Sequence, residues 1–174
     1  RDGSSRFGSN NRYGNFWSVG ASWNADQEEF IKNINWIDRL KLRASYGTTG
    51  NAGIGNYAWR PLFSYGSNYG GQLGSAPSSI GNEALTWEEN TQLDVGFDLA
   101  FFKNRLNITA DYYEREAKDL LLNMPISRTS GFSTYTNNIG AMKNSGIEFA
   151  ISGSPVVTAD FKWDLSFNIS RNKN

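Results

Sequence analysis

Apolar and polar residues alternate along six stretches of this chain. A period of two marks a strand whose faces meet different surroundings. In the first, Trp17, Val19, Ala21 and Trp23 alternate with Ser18, Gly20 and Ser22. In the second, Leu40, Leu42, Ala44 and Tyr46 alternate with Lys41, Arg43 and Ser45. The third sets Leu93, Val95, Phe97, Leu99 and Phe101 against Gln92, Asp94, Gly96, Asp98 and Ala100. The fourth sets Leu106, Ile108, Ala110 and Tyr112 against Asn107, Thr109 and Asp111. Ile147, Phe149 and Ile151 define the fifth, and Phe161, Trp163, Leu165, Phe167 and Ile169 the sixth. Several runs reach about 9–11 residues, the length of a membrane-crossing strand tilted near 45°. Soluble strands are commonly nearer 5–6 residues.

The connections alternate too. Lys103-Asn104 predicts a tight turn, and Gly153 to Asp160 a short link with Pro155 as the strand stop. The second and third strands are joined by a long segment, as are the fourth and fifth. Short turns on one side and long loops on the other are the build of an outer-membrane barrel. One short-side connection, Asn24 to Asp38, is longer. Asp26 is placed there to N-cap a helical turn or two, with Phe30, Ile34 and Ile37 at helical spacing.

A soluble β-sandwich would alternate as well, with its apolar face turned into a core. Against it stand the strand lengths, the loop asymmetry and polar faces poor in Lys and Glu. Trp17, Trp23, Tyr46, Phe101, Tyr112 and Trp163 fall near predicted strand ends, as interfacial aromatic girdles do. Six strands are too few to close, because the smallest such barrels have about eight. The expectation is an all-β fold, an antiparallel up-and-down transmembrane β-barrel segment of about six strands from a larger barrel. On that reading Phe97→Arg faces lipid and impairs assembly, whereas Gly96→Arg faces the lumen and is far better tolerated.

Composition removes other function classes. The chain has no Cys and no His, so disulfides, thiolate metal sites and the commonest general base are missing. Lys and Arg number 17 and Asp and Glu 17, with no basic run, which gives nucleic acid no footing. Mean hydropathy is −0.54, as expected when strands average two unlike faces. No signal sequence opens the chain and its last residues are polar, so both ends read as cut.

Few residues suggest chemistry. Asp94 and Asp98 share a polar face roughly 13 Å apart, too far for the roughly 5–9.5 Å of paired glycosidase carboxylates. They read instead as lumen-facing residues with Lys41 and Arg43, available for pairing across neighbouring strands. The glycine run Gly47, Gly50, Gly53 and Gly55 matches no phosphate-binding pattern. The long segment between the second and third strands carries Tyr57, Trp59, Phe63, Tyr65, Tyr69 and Trp87 among Gly, Ser and Asn. Such rings suit sugar binding or packing against a protein lid, or simply pack the loop on itself. No catalytic, cofactor-binding or metal residue is predicted.

Several motifs resemble the SusC/RagA group of TonB-dependent outer-membrane transporters. They include Asp2-Gly3-Ser4-Ser5-Arg6-Phe7-Gly8, Leu40-Lys41-Leu42-Arg43-Ala44-Ser45-Tyr46-Gly47 and Leu85-Thr86-Trp87-Glu88. Phe101-Phe102-Lys103-Asn104-Arg105-Leu106, Asp111-Tyr112-Tyr113-Glu114-Arg115 and Asn144-Ser145-Gly146-Ile147-Glu148 are similar too. The resemblance implies a barrel of about 22 strands closed by a plug. It also implies a SusD-like surface lipoprotein over the pore and TonB as the energy source. Residues 1–174 would then be part of the barrel domain, with plug, signal peptide, TonB-contacting segment and final strands elsewhere. The function so implied is import of a glycan, oligosaccharide or peptide across the Gram-negative outer membrane, without enzymatic chemistry. A structural or adhesive outer-membrane barrel is the rival, and a soluble carbohydrate-active β-sandwich the third reading.

Overall fold

The computed structural model describes residues 1–174, the side chain of Tyr69 excepted. In chain order the strands are β1 (Asp2–Gly3), β2 (Tyr13–Gly14), β3 (Ser18–Asn24), β4 (Ile37–Asn51), β5 (Leu62–Tyr69) and β6 (Gln72–Ser79). They continue as β7 (Glu88–Phe101), β8 (Leu106–Lys118), β9 (Leu121–Pro125), β10 (Thr134–Asn138), β11 (Ala141–Val157) and β12 (Lys162–Lys173). A helix, α1, spans Glu29–Lys32. The chain divides into a strand unit (Ser18–Gly47, Thr91–Glu116, Lys143–Asn174) and a loop unit (Arg1–Trp17, Thr48–Asn90, Ala117–Met142).

The fold is all-β and antiparallel, built on a six-stranded sheet ordered β12-β11-β8-β7-β4-β3. Each of these strands neighbours its predecessor, as an up-and-down meander requires, and they are the six that alternation predicts. Five of them run 12 to 17 residues, longer than their apolar alternation. The reason is visible in β8: past Tyr112 the outward row carries Glu114 and Glu116, so both faces are polar while the strand continues. Tyr46 and Tyr112 therefore lie within their strands rather than near the ends, marking where the outward row turns from apolar to polar. Trp23, Phe101 and Trp163 do lie near strand ends.

Register keeps the faces separate. Val19 pairs with Tyr46, Ala21 with Ala44 and Trp23 with Leu42; Phe149 pairs with Ile169 and Ile151 with Phe167. Among the described residues of the strand unit no second layer covers this apolar face. Val19 is 61% exposed, Ile147 57% and Phe167 59%.

Two local expectations are corrected. Pro155 does not stop a strand: β11 runs through it to Val157, with the register shifting between Gly153 and Val156. A bulge takes residues out of the ladder, so the missing proline N–H costs no bond. The Ser154 N–H meanwhile donates to the Arg105 carbonyl at 2.8 Å. Asp26 does not N-cap a helix. It lies inside a 3-10 turn (Ala25–Gln27) followed by the four-residue α1, and Ile37 already opens β4. Its carboxylate accepts from the Gln27 side chain at 2.6 Å and from the Leu40 N–H at 3.2 Å.

The tight turn at Lys103-Asn104 is present, with Phe102, Lys103 and Asn104 all at φ near +60° (57°, 60° and 60°). Asp38 accepts the Asn104 N–H at 2.9 Å and Trp36 stacks on Phe101 at 5.5 Å. These contacts hold a conformation that L residues otherwise avoid.

The loop unit has its own core. Phe7 and Leu85 are fully buried with Ile54, and Trp59 and Trp87 pack against them. Two hairpins complete it. One joins β5 to β6 through Gly70-Gly71, at φ +57° and +80°, the backbone of a two-residue hairpin turn. The other pairs β9 with β10. Asparagine amides tie these pieces together: Asn82 donates to the Thr136 carbonyl at 3.0 Å, and Asn138 brackets the Thr86 backbone at 2.9 Å on both sides.

Candidate functional site

The polar face of the strand unit carries one connected cluster. Because Arg43, Asp98, Thr109 and Asp111 occupy same-face positions on β4, β7 and β8, their side chains meet. The Arg43 guanidinium lies 3.3 Å from Asp98 and 2.8 Å from Asp111, and Thr109 donates to Asp98 at 3.2 Å. One cation between two carboxylates leaves a formal negative charge on the cluster. Asp94 sits apart, accepting from Gln92 at 2.7 Å and Ser45 at 3.4 Å. Asp94 and Asp98 thus have separate partners, which is an arrangement for a polar wall rather than for paired acid–base work. Lys41 shares the face and makes no ion pair among the described residues.

Gly96, the position expected to tolerate arginine, lies crowded between these groups. A Cβ there would collide with the Asp111 carboxylate and sit 3.0 Å from the Ala110 carbonyl. The position is buried on a polar face because its neighbour strand comes close, which alternation within one strand cannot reveal.

The loop aromatics separate by role. Trp59 and Trp87 pack on the loop core, Trp87 against Phe7 at 5.3 Å and Phe16 at 5.5 Å, and Arg60 covers the Trp59 ring at 4.3 Å. Tyr57 and Tyr65 project outward, 60% and 87% exposed. The Tyr69 side chain lies outside the described residues. A cleft of about 440 Å³ opens between the two hairpins, lined among others by Asn56, Ser79, Asn123, Phe132 and Thr134. Sequence reading placed no residue in this cleft. The Gly70-Gly71 pair marks the first hairpin, and with it the strand that brings Ser79 here.

Among the described residues no group of His, Cys, Asp and Glu could hold a metal ion, and no helix is long and apolar enough to cross a membrane.

An antiparallel sheet of long strands with one exposed apolar face, one polar face and elaborate loops defines a barrel-wall protein. Residues 1–172 match the family model described as TonB dependent receptor-like, beta-barrel. The chain is 44% identical over 174 residues to a TonB-dependent receptor of Formosa agariphila, covering 100% of this chain and 17% of that one. It is 39% identical over 182 residues to the TonB-dependent receptor SusC of Bacteroides thetaiotaomicron, covering 99% and 18%. Among solved structures, the RagAB peptide importer in its closed-closed state superposes with a TM-score of 0.90 at 38% identity, covering 98% of this chain and 19% of that one. This chain belongs to the TonB-dependent receptor β-barrel family, of the SusC/RagA type. It spans less than a fifth of the length of those relatives.

Proposed function

We propose that this chain forms barrel wall and extracellular loops of an outer-membrane importer that takes up a nutrient under TonB control. One observation carries the reading: the sheet of long strands leaves apolar side chains exposed from β3 to β12 on one face, while the opposite face carries polar and charged residues, among them the Arg43–Asp98–Asp111 cluster. In water that apolar area would demand a covering layer. In a bilayer it is the lipid-facing band, and Lys41, Arg43, Asp94 and Asp98 line the lumen. The nine residues from Leu93 to Phe101 span about 27 Å along the strand. Tilt brings that to roughly 20 Å, and flanking aromatics bring it close to the ~25 Å apolar band of such barrels.

The family supports the remaining parts. A SusD-like surface lipoprotein caps the pore, TonB supplies energy, and the plug, signal peptide and final strands lie elsewhere in the whole protein. The substrate is a glycan or oligosaccharide, as the SusC/RagA resemblance implies, with peptide as the other class, since the similar RagAB is a peptide importer. Residues of this chain position and pass the substrate without covalent chemistry.

The test is fractionation of the source cells with an antibody to the 51–82 loop, followed by uptake. A band far larger than 19.4 kDa in the outer membrane, shifting in mobility on boiling, is expected. Uptake of an oligosaccharide or peptide substrate should stop when the proton-motive force is dissipated. A membrane barrel with energy-independent or no uptake would leave a structural or adhesive role, and a soluble 19.4 kDa band would remove the barrel reading.

A further inference from the structure

On the apolar face of the strand unit one row of bulky residues is interrupted. β11 presents Ile147, Phe149 and Ile151 and then Gly153, which pairs with Leu165 of β12. A Cβ at this glycine would sit 2.7 Å from the Arg105 carbonyl, so the close approach of β8 requires the side chain to be missing. Directly beyond it the register of β11 shifts, between Gly153 and Val156. Glycine and bulge together leave a hollow of about 800 Å³, walled by Leu106, Ile151, Pro155, Leu165 and Phe167. Phe102 and Arg105, from the turn between β7 and β8, line it as well. Its volume falls within the roughly 300–1,000 Å³ of ligand pockets.

The hollow lies at the short-turn end of the sheet, the periplasmic end of an outer-membrane barrel. Exposed Phe161 and Trp163 flank the same end, as interfacial aromatics do. The nearby carboxylates have partners: Asp38 accepts the Asn104 N–H at 2.9 Å, and Asp164 pairs with Lys162 at 3.0 Å. Lys103 and Arg105 are exposed and make no ion pair among the described residues. Two cations without an acidic partner thus stand at an apolar hollow, near the level of lipid phosphates. A chain that leaves bulk lipid for this hollow exchanges one hydrocarbon surrounding for another, so the hydrophobic effect alone favours neither. Two other effects do select it. The walls of an unfilled hollow lack dispersion contacts that a chain restores. A phosphate beside Lys and Arg accepts charge-assisted hydrogen bonds, in pairs from a guanidinium.

We propose that this hollow holds one phospholipid of the periplasmic leaflet, with an acyl chain lying over Gly153 and the phosphate meeting Lys103 and Arg105. The site rests on the lipid-facing assignment of the sheet and is independent of whether the protein imports anything.

The whole protein is placed in nanodiscs of phosphatidylethanolamine and phosphatidylglycerol. One sample is doped with phosphatidylglycerol carrying a photoreactive diazirine on an acyl chain, the other with diacylglycerol carrying the same chain and no phosphate. After illumination, labelled residues are mapped by mass spectrometry. The ratio of phospholipid to diacylglycerol labelling should be severalfold higher at residues 151–155 and 165–167 than at residues 19–23 of the same apolar face. Lys103→Asn/Arg105→Gln should bring that ratio down to the level of residues 19–23, with the heat-shifted gel band unchanged. Asn suits position 103, where φ is 60°, because it tolerates the left-handed region. Leu165→Trp, which fills the hollow without touching its charges, should lower labelling there by the phospholipid probe. The idea is overturned by an even ratio along the wall, or by an excess that the double variant leaves in place. Absence of labelling at both stretches would remove the lipid-facing assignment as well.

Discussion

At Gly96 one hydrogen in place of a methyl lets two carboxylates share a guanidinium. With a Cβ there, the Asp111 carboxylate must leave its place 2.8 Å from Arg43. Gly96→Ala is therefore expected to destabilise the protein by about 1–3 kcal/mol, the usual cost of overpacking. The readout is a lower temperature at which the heat-shifted gel band appears. Removing the displaced group in Gly96→Ala/Asp111→Ala should recover part of the loss. A single variant as stable as the parent would mean that Asp111 is not held at this site. The Arg43–Asp98 pairing was legible in the sequence, because both residues fall on polar rows of neighbouring strands. The approach of Asp111 to Gly96 was not, since it depends on the stagger between β7 and β8.

Two carboxylates hold the short helical segment before β4: Glu28 accepts from the Trp23 indole N–H at 3.0 Å, and Asp26 ties the segment to β4. Bonds from the Gln27 side chain and the Leu40 N–H, with Arg39 nearby, hold Asp26 below the usual carboxylate value of 3.8, although partial burial works the other way. Because the folded form takes up its proton less readily than the unfolded chain, the stabilisation is present above pH 3.8. It is lost as pH falls through the lower folded value. Protection of the amides of residues 25–40, relative to their intrinsic exchange, should fall as the pH drops below about 4. In Asp26→Asn the same amides should exchange faster at neutral pH, with that acid-dependent step gone. An unchanged step in the variant would assign the acid response to another group.

Elements of this kind are where sequence reading ran short. The six sheet strands were readable because one row of each is apolar. The β5–β6 hairpin has mainly polar or exposed residues on both rows, so alternation is silent there. The Pro155 bulge was read as an end because proline removes a ladder bond, and only the register with β12 shows that the ladder resumes.

For the molecule as a whole the question is which solvent each face meets. Ala44 and Ser45 are neighbours on β4 with opposite faces, Ala44 beside Ala21 and Ser45 within 3.4 Å of Asp94. Ala44→Arg should cost about 2–4 kcal/mol at mid-bilayer and deplete assembled protein from the outer membrane. Ser45→Arg gains a carboxylate neighbour and should assemble normally. Equal tolerance would show that the Ala44 face does not meet lipid. This pair replaces the comparison of Phe97 with Gly96, where crowding would mask the effect of solvent.

The loop core has a further consequence, for timing. It is assembled from three stretches, Arg1–Trp17, Thr48–Asn90 and Ala117–Met142, with strands of the sheet between them. Phe7 is enclosed only when Ile54 and Leu85 of the second stretch arrive, and Asn82 finds the Thr136 carbonyl only when the third is in place. Contacts so distant along the chain are slow to close. Each long loop must also reach its side of the membrane before it can join the others. The loop core therefore sets last, and its hardening into a protease-resistant body reports that the strands have already been threaded in order.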